Sequence, residues 1–338
     1  MQAIVLVGGF GTRLRPLTDT VPKSMLTVGN EPIITRLARC LEGAGVTTMT
    51  LSLGYLPDPF RDAFPDGRCG GVELRYAVES EPLDTAGAIR FAADSAGVDD
   101  TFLAINGDII TDLDAAALVT EHRRLGAEAT IHLTPVADPS AFGVVEVDAG
   151  HHVQRFLEKP RPGTTDSKVI NGGTYVMEPS VLEAIAPGVA VNIERVTFPL
   201  LAARGSLFGL ATDSYWIDVG RAELLIQANL DRLAGRYDTT LAHPVSGGHG
   251  IDPEAVVAVD ALVSGSVVAG DVEVGARSEV TRSVLLAGAR IGDDVIVHDS
   301  VVMGVVPDGA QLRAAVIGAG ARIDPGQHVT QERVPDPG

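Results

Sequence analysis

The sequence of 338 residues is long enough to form two domains, each with its own hydrophobic core. Its 44 acidic residues outnumber 26 basic ones, and the net charge of −18 argues against nucleic acid or an anionic membrane as the partner. The two cysteines and eight histidines show no metal-ligand spacing, and we expect the histidines at the surface. No apolar stretch reaches about 18 residues. We therefore expect a cytoplasmic protein without a disulfide framework, signal peptide or membrane span.

The chain begins with an apolar stretch that leads into a glycine-rich turn. Residues 1–7 read MQAIVLV, which is typical of a strand buried on both faces. Three glycines and then three cations follow: Gly8, Gly9, Gly11, Arg13, Arg15 and Lys23. Glycines allow backbone N–H groups to approach a ligand closely, and the cations suit phosphate. Leu14 stands where the dinucleotide fingerprint has its third glycine, so the pattern alone indicates either phosphate binding or a tight turn with solvated arginines.

Strand and helix patterns alternate beyond this turn. The predicted elements are a helix over 30–45, strands over 48–53 and 72–78, a helix over 85–95 and a strand over 102–105. This alternation indicates an α/β fold with a Rossmann-like, mostly parallel sheet. Ligands of such sheets bind beyond the carboxyl ends of the strands, where the glycine-rich turn and Asp108 both fall.

The region from about residue 130 to residue 220 is richer in strands. Strands are predicted over 130–136, 143–147, 153–156 and 171–177, and helices over 179–185, 193–203 and 222–233. Such a region is typical of an insertion that closes over the edge of the sheet. We place the domain boundary near residues 236–250 and predict domains over residues 1–236 and 251–331.

Beyond residue 250, small aliphatic residues recur every six positions. The series runs through Leu262, Val268, Val274, Val280 and Leu286, slips by one at Ile291, and continues through Val297, Met303, Ile317, Ile323 and Val329. This spacing predicts a hexapeptide-repeat β-solenoid with three sixes to a coil, because a low-complexity tail would not keep the spacing so long. Apolar flanks and an open end of the solenoid predict a homo-oligomer, either a dimer or a tetramer.

The stretch from Leu6 to Thr18, closed by Pro22 and Lys23, resembles the signature GGxGTRLRPLT…PK of sugar-1-phosphate nucleotidyltransferases. Four further motifs follow in the order of that family: Asn106-Gly107-Asp108, Phe156-Leu157-Glu158-Lys159-Pro160, Asn171-Gly172-Gly173 and Trp216-Ile217-Asp218-Val219-Gly220. The resemblance covers about residues 1–235, and the tail resembles the left-handed β-helix that many members carry. Within the family, the sequence most resembles the mannose-1-phosphate guanylyltransferases.

The resemblance implies that a sugar-phosphate oxygen attacks the α-phosphorus of a nucleoside triphosphate and releases pyrophosphate. It implies the catalytic residues Arg13, Lys23, Asp108 and Asp218, of which the two aspartates hold Mg²⁺ as the cofactor. The implied nucleotide-binding residues are Leu6, Gly8, Gly9, Gly11, Thr12, Arg13, Glu79, Pro82 and Gly87. The implied sugar-phosphate-binding residues are Gly143, Glu158, Lys159, Asn171, Gly172 and Glu194, with Lys159 on the phosphate and Glu158 on sugar hydroxyls.

The prediction of which nucleobase is bound rests on Glu79. Guanine presents two adjacent N–H donors, which one carboxylate can accept together, whereas thymidylyltransferases carry an amide at this place. GTP is therefore the favoured donor, and the resemblance implies mannose 1-phosphate as the favoured acceptor. Phe10, Ser24 and Asp84 depart from the guanylyltransferase pattern, so a cyclitol or heptose 1-phosphate stays open as the acceptor. Three further functions stay open: a glucose-1-phosphate thymidylyltransferase, a non-catalytic regulatory paralogue, and an enzyme whose solenoid also transfers acyl groups.

Overall fold

A computed structural model of the chain describes residues 1–54, 57–161, 163–237 and 249–336. The chain divides into two units: residues 1–9 and 34–216 form the first, and residues 10–33 and 217–338 form the second. Within the described ranges, no helix is long and apolar enough to cross a membrane. The predicted boundary near 236–250 falls mostly on residues outside these ranges, so the domain limits 1–236 and 251–331 stay a prediction.

The first unit is built around a sheet with ten strands in the described part of the chain. Eight of them follow one another in the spatial order Val153–Glu158, Gly143–Val147, Val169–Met177, Phe102–Asn106, Gln2–Leu6, Thr48–Leu53, Val72–Val78 and Arg68–Cys69. Ala129–Pro135 also pairs with Val169–Met177, and Leu207–Ala211 pairs with Ala129–Pro135. Ala3, Ile4 and Val5 in the first strand are fully buried, as predicted for a strand covered on both faces.

The strands of this sheet are parallel in its amino-terminal part and mostly antiparallel beyond it. Gln2–Leu6 pairs in parallel with Thr48–Leu53 on one side and with Phe102–Asn106 on the other. Val169–Met177 runs antiparallel to Phe102–Asn106 and to Ala129–Pro135. The predicted parallel α/β core and the strand-rich region after residue 130 are both confirmed.

Helices cover the sheet of the first unit. They are Ile33–Gly43, Asp58–Ala63, Asp84–Ala96, Ala115–Leu125, Ser180–Glu183 and Phe198–Ala203, the last preceded by a π-helical turn over Ile193–Thr197. Two of these helices, Asp58–Ala63 and Ala115–Leu125, were not predicted. The sequence does indicate the second helix, because an aspartate and a glycine stand at its two ends. The Asp114 side chain caps its first turn, and Gly126 ends it in the left-handed conformation.

The carboxyl ends of three parallel strands meet at one edge of the sheet. Leu6 lies level with Ser52 on one neighbouring strand and with Asn106 on the other. The Val7 N–H donates to the Ser52 carbonyl at 3.0 Å, and the Gly107 N–H donates to the Leu6 carbonyl at 2.9 Å. The glycine-rich turn and the Asn106-Gly107-Asp108 motif therefore leave the sheet at the same edge, as predicted.

The second unit joins residues 10–33, here called the signature segment, to a helix and the solenoid. The signature segment contains three short helical turns and a hairpin, namely Thr12–Leu14, Leu17–Asp19, Lys23–Met25 and the strands Thr27–Val28 and Glu31–Pro32. The buried Arg232 of helix Ala222–Leu233 donates to the Val28 carbonyl, and its Nη2 lies 3.3 Å from Glu31 Oε2. The Gly29 N–H donates to Asn229 Oδ1 at 2.8 Å, so the hairpin is fixed to this helix.

The solenoid consists of three sheets of short parallel strands. One contains Gly250–Ile251, Val267–Val268, Val284–Leu285, Val301–Val302, Val316–Ile317 and Arg333–Val334. The second contains Val256–Val257, Glu273–Val274, Arg290–Ile291 and Val305–Val306, and the third Leu262–Ser264, Glu279–Thr281, Ile296–His298, Gln311–Arg313 and His328–Thr330. Aliphatic side chains from all three sheets form one buried core, which confirms the predicted solenoid.

The coil length differs from the predicted three sixes. Val268, Val274, Val280 and Leu285 share one core, so the sides of a coil are six, six and five residues long. The Ser283 N–H bonds Ser266 Oγ 17 residues earlier, and in one shorter coil the Ala315 N–H bonds Ser300 Oγ 15 residues earlier. These serines are buried at the corner before the short side, where their hydroxyls satisfy backbone N–H groups of the next coil. Leu285 and Val302 thus take the core positions that the spacing of six assigned to Leu286 and Met303.

Candidate active site

Glu79 is the buried carboxylate at the predicted base-binding position of the first unit. It directly follows strand Val72–Val78 and is only 8% exposed. Its Oε1 accepts a hydrogen bond from Ser52 Oγ at 2.8 Å, and its Oε2 accepts one from the Leu83 N–H at 3.0 Å. Each carboxylate oxygen has two lone pairs, so each can accept one further hydrogen bond. Two donors therefore orient the carboxylate and leave it able to accept further hydrogen bonds.

Gly8 lies beside this carboxylate. A methyl group on Gly8 would lie 3.2 Å from the Gly54 nitrogen and 3.7 Å from Glu79 Oε1, so the missing side chain leaves space next to the carboxylate. Leu6 ends the central strand, and Gly9 is exposed beyond Gly8. The first unit thus brings Leu6, Gly8 and Glu79 together at the edge where the parallel strands end.

Pro82 and Gly87, the other nucleotide-binding candidates in the first unit, differ in exposure. Pro82 is exposed in the turn after Glu79. Gly87 is buried in helix Asp84–Ala96, and a methyl group there would lie 2.5 Å from the Val189 carbonyl oxygen. Close packing of the helix therefore requires this glycine, and its contact with a nucleotide stays a prediction.

Gly11 turns the signature segment in the second unit. Its φ of +58° lies in the left-handed region, and its carbonyl accepts from the Leu14 N–H and from Thr18 Oγ1, both at 2.8 Å. Thr12 and Arg13 are exposed on the short turn that follows, whereas Leu14 is buried. These hydrogen bonds present Arg13 to solvent on a constrained backbone.

Three of the four predicted catalytic side chains lie in the second unit. Lys23 Nζ forms an ion pair with Asp218 Oδ1 at 3.2 Å. A methyl group on Gly220 would lie 3.0 Å from Arg13 Nη2 and 3.1 Å from Asp218 Oδ1, so Arg13 reaches the loop that carries the aspartate. Asp108, the fourth, belongs to the first unit, and the pairing of the two aspartates on one metal ion stays a prediction.

The predicted magnesium ligands are carboxylates, which are hard oxygen donors of the kind Mg²⁺ prefers. The described residues hold no group of three or more His, Cys, Asp or Glu side chains that could enclose a metal ion. Mg²⁺ commonly uses one or two carboxylates and completes its coordination with water and substrate phosphates. The residues present therefore fit Mg²⁺ better than a metal that requires a protein cage.

A connected set of side chains marks the predicted sugar site in the first unit. Asn171 Nδ2 donates to Glu194 Oε1 at 2.8 Å and to the Tyr175 hydroxyl at 2.9 Å. Asn171 Oδ1 accepts from the Gly173 N–H at 2.9 Å. Because Glu194 comes from the π-helical turn and Asn171 from strand Val169–Met177, the structure brings two candidates together that lie 23 residues apart in sequence.

Trp216 supports the adjacent Gly172. Its indole N–H donates to the Gly172 carbonyl at 2.8 Å, and its ring meets the Phe142 ring edge-on at a centroid distance of 5.5 Å. A methyl group on Gly172 would lie 2.5 Å from His132 Nδ1, so the close approach of this ring requires a glycine. Phe142 and His132 were not among the predicted site residues.

The remaining sugar-phosphate candidates lie on neighbouring strands. Gly143 is buried and lies opposite Glu158, whose side chain is outside the described part of the structure. Lys159 follows with a φ of +46°, and its N–H donates to the Phe142 carbonyl at 3.0 Å. Other described residues, including Asp84 and Arg277, also have a positive φ, so the role of Lys159 on the sugar phosphate stays a prediction.

The expectation that all histidines lie at the surface is wrong for His122 and His132, which are fully buried. Burial lowers the pKa of His132 to about 4, and it also lowers the pKa of His122. His132 Nε2 is 2.8 Å from Thr212 Oγ1, and His122 Nε2 is 3.1 Å from Glu178 Oε1. His122 can be buried because both of its ring nitrogens have hydrogen-bond partners, Thr130 and Glu178, whereas His132 has partners only at Nε2 among the described residues. No local sequence pattern indicates these partners.

Comparisons with known proteins identify the family of the chain. Residues 2–235 match the nucleotidyl transferase family. A mannose-1-phosphate guanylyltransferase of Mycobacterium tuberculosis is 36% identical over 294 residues, which cover 86% of this chain and 81% of that protein. A mannose-1-phosphate guanyltransferase of Aspergillus oryzae is 38% identical over 269 residues, covering 76% and 73%.

A solved structure extends the comparison to three dimensions. HddC from Yersinia pseudotuberculosis, crystallised with GMP-PN, superposes with a TM-score of 0.56 at 28% identity and covers 68% of this chain and 97% of that chain. The family match spans more than half of the sequence and includes every predicted site residue. The chain therefore belongs to the nucleotidyl transferase family.

Proposed function

We propose that this enzyme transfers GMP from GTP to mannose 1-phosphate, forming GDP-mannose and pyrophosphate. The observation that carries the proposal is the likeness to mannose-1-phosphate guanylyltransferases, which extends over 294 residues and thus beyond the family match that ends at residue 235. The related HddC structure with GMP-PN is further support for a guanine nucleotide.

The side chains divide the work between the two substrates. Arg13 and Lys23 neutralise the phosphates of the triphosphate, whose charge shifts to the leaving pyrophosphate during the reaction. Asp108 and Asp218 are the carboxylates that would hold Mg²⁺, and the ion would neutralise phosphate charge when bound. Lys159 binds the phosphate of the sugar, and Glu194 with Asn171 binds its hydroxyl groups. Positioning and charge neutralisation supply most of such catalysis, so none of these residues needs to form a covalent bond.

Glu79 explains the choice of guanine. The carboxylate is oriented by Ser52 and the Leu83 N–H, which leaves one acceptor position on each oxygen for N1–H and N2–H₂ of the base. Adenine would place its N1 acceptor against the carboxylate. A bidentate pair of this kind discriminates between bases by roughly 1–3 kcal/mol.

We expect wild-type enzyme to use GTP with a kcat/KM at least about tenfold above that for dTTP or ATP, as a difference of about 1.4 kcal/mol predicts. Glu79→Gln should narrow the gap between GTP and dTTP, because an amide matches the single N–H of thymine between its two carbonyls. Pyrophosphate release with each triphosphate and a panel of sugar 1-phosphates measures both effects.

Glu81→Gln is the matched control, since Glu81 is an exposed carboxylate two residues away. It should keep the wild-type order of triphosphates. A wild-type preference for dTTP, UTP or ATP would contradict the proposed donor, and an unchanged order in Glu79→Gln would contradict the role of Glu79.

We also propose that the enzyme is cytoplasmic and assembles as a dimer or tetramer through the solenoid. No disulfide joins Cys40 and Cys69, the only cysteines of the sequence. The first coil exposes three large aliphatic side chains, with Val256 65%, Leu262 68% and Val259 fully accessible. Apolar residues exposed together on a soluble protein mark an interaction surface.

Light scattering of the full chain at micromolar concentration should therefore give at least twice the mass of one chain. Replacing Val259 and Leu262 by Glu should shift the protein toward the monomer, because charges would then face the apolar surface of a neighbour. Ala287→Glu, at an exposed corner of a later coil, is the control. A wild-type monomer would refute the assembly.

A further inference from the structure

We infer that the last coil of the solenoid holds the signature segment in its active conformation, with Arg333 as the positioning residue. Arg333 Nη1 donates to the carbonyl oxygen of Arg15 at 3.0 Å. That carbonyl lies at the end of the turn Thr12–Leu14, which carries Arg13. A guanidinium bonded to a carbonyl forms a charge-assisted hydrogen bond, which is stronger than one between neutral groups.

A second contact from the same coil supports the next residue. A methyl group on Gly318 would lie 2.7 Å from both Cβ and Cγ of Pro16, so the proline ring rests against a position that has no side chain. Gly318 directly follows strand Val316–Ile317, which pairs with the strand Arg333–Val334, and the Gly318 N–H donates to the Val334 carbonyl at 2.7 Å. One edge of the coil thus forms both contacts.

The turn that carries Arg13 is therefore fixed at both ends. At its start, the Thr18 hydroxyl binds the Gly11 carbonyl at 2.8 Å. At its end, Arg333 binds the Arg15 carbonyl. Only the second constraint comes from outside the signature segment. Displacement of a substrate-binding group by about 1 Å can cost up to about 100-fold in rate, so removing one of two constraints should be visible in the kinetics.

The turn that this coil supports also extends, through Arg13, toward the ion pair of Lys23 with Asp218 in the same unit. Arg13 reaches Gly220, next to the ion pair of Lys23 with Asp218. A shift of the Arg15 backbone would move Arg13 relative to this ion pair. The inference rests on the proposed function only in that Arg13 contacts the triphosphate, and it predicts an effect on that substrate rather than on the sugar phosphate.

The test compares Arg333→Met, Arg333→Lys and Gly318→Ala in the full chain. Arg333→Met keeps much of the aliphatic side chain and removes the donor, and Gly318→Ala pushes against Pro16. Both variants should lower kcat/KM for the triphosphate about tenfold, because a displaced Arg13 contacts that substrate less well. KM for the sugar phosphate should change less than about twofold, because Arg13 does not contact the sugar phosphate. Arg333→Lys retains a cationic donor and should recover part of the loss.

Arg313→Met is the matched control, because Arg313 is an exposed arginine on the neighbouring sheet of the solenoid. It should behave as wild type. The donor used is whichever triphosphate wild-type enzyme consumes in the same assay, so a failure of GTP would refute the proposed donor and still allow the Arg333 comparison. The inference would be overturned if kcat/KM for the triphosphate were unchanged in both Arg333→Met and Gly318→Ala. It would also be overturned if KM rose equally for the triphosphate and the sugar phosphate.

Discussion

Turnover should fall by a factor on the order of 100 or more when Asp218 is replaced by Asn. The substitution keeps the size of the side chain and removes the charge that pairs with Lys23 at 3.2 Å. It also replaces an anionic oxygen of the proposed Mg²⁺ site by a neutral amide oxygen, which binds the cation more weakly. The same loss is expected for Asp108→Asn, because each carboxylate supplies a separate ligand. Pyrophosphate release at saturating substrates measures both.

The control for these variants is Asp213→Asn, an exposed aspartate shortly before the strand Trp216–Asp218. It should retain wild-type turnover. A titration with Mg²⁺ separates a metal role from a purely positional one, since a lost ligand raises the concentration required for half-maximal rate. Near-normal turnover in Asp108→Asn or Asp218→Asn would remove that carboxylate from the mechanism.

The second large effect concerns stability. Arg232→Ala should lower the free energy of unfolding by about 3–5 kcal/mol, because it removes the buried cation that lies 3.3 Å from the Glu31 carboxylate. The Arg232 side chain is 1% exposed and that of Glu31 7% exposed, and Arg232 also donates to the Val28 carbonyl. Urea unfolding followed by circular dichroism measures the change.

Arg236→Ala is the matched control near the end of the same helix. Arg236 Nη1 pairs with Asp231 Oδ1 at 2.9 Å, and the arginine side chain is 64% exposed. The buried Asp231 keeps a hydrogen bond from Gln227 Nε2 at 2.7 Å in this variant, so we expect a loss of at most about 1 kcal/mol. The double variant Arg232→Met with Glu31→Leu should regain most of the stability, because it removes both charges of this buried ion pair. An equal cost for Arg232→Ala and Arg236→Ala would contradict the assignment.

Sequence reasoning located the parallel core because its signals are local. The apolar run ending at Leu6, the strand before Asn106 and the glycine-rich turn each lie within a few consecutive residues. The solenoid was also found from its spacing. Its coil length was misjudged because the corner residue is a buried serine, and a serine is ordinarily interpreted as part of an exposed turn.

The support of the site was not predictable in the same way. The spacing of three and four residues places Asn229 and Arg232 on the apolar face of their helix, with Leu225 and Ala228. This placement was the only sequence feature that indicated their burial. Polar residues on an apolar face indicate a buried partner, but they do not identify Glu31 as that partner. Contacts such as those of His132 with Gly172 depend on a register shift in the sheet, which no local pattern encodes.

The contact of Arg333 with Arg15 joins residues 318 positions apart in the sequence. During synthesis, the segment that carries Arg13 leaves the ribosome well before the coil that carries Arg333. The segment therefore acquires this support only after Arg333 has been added to the chain. A chain truncated before this coil would contain every predicted active-site residue and still use the triphosphate less efficiently.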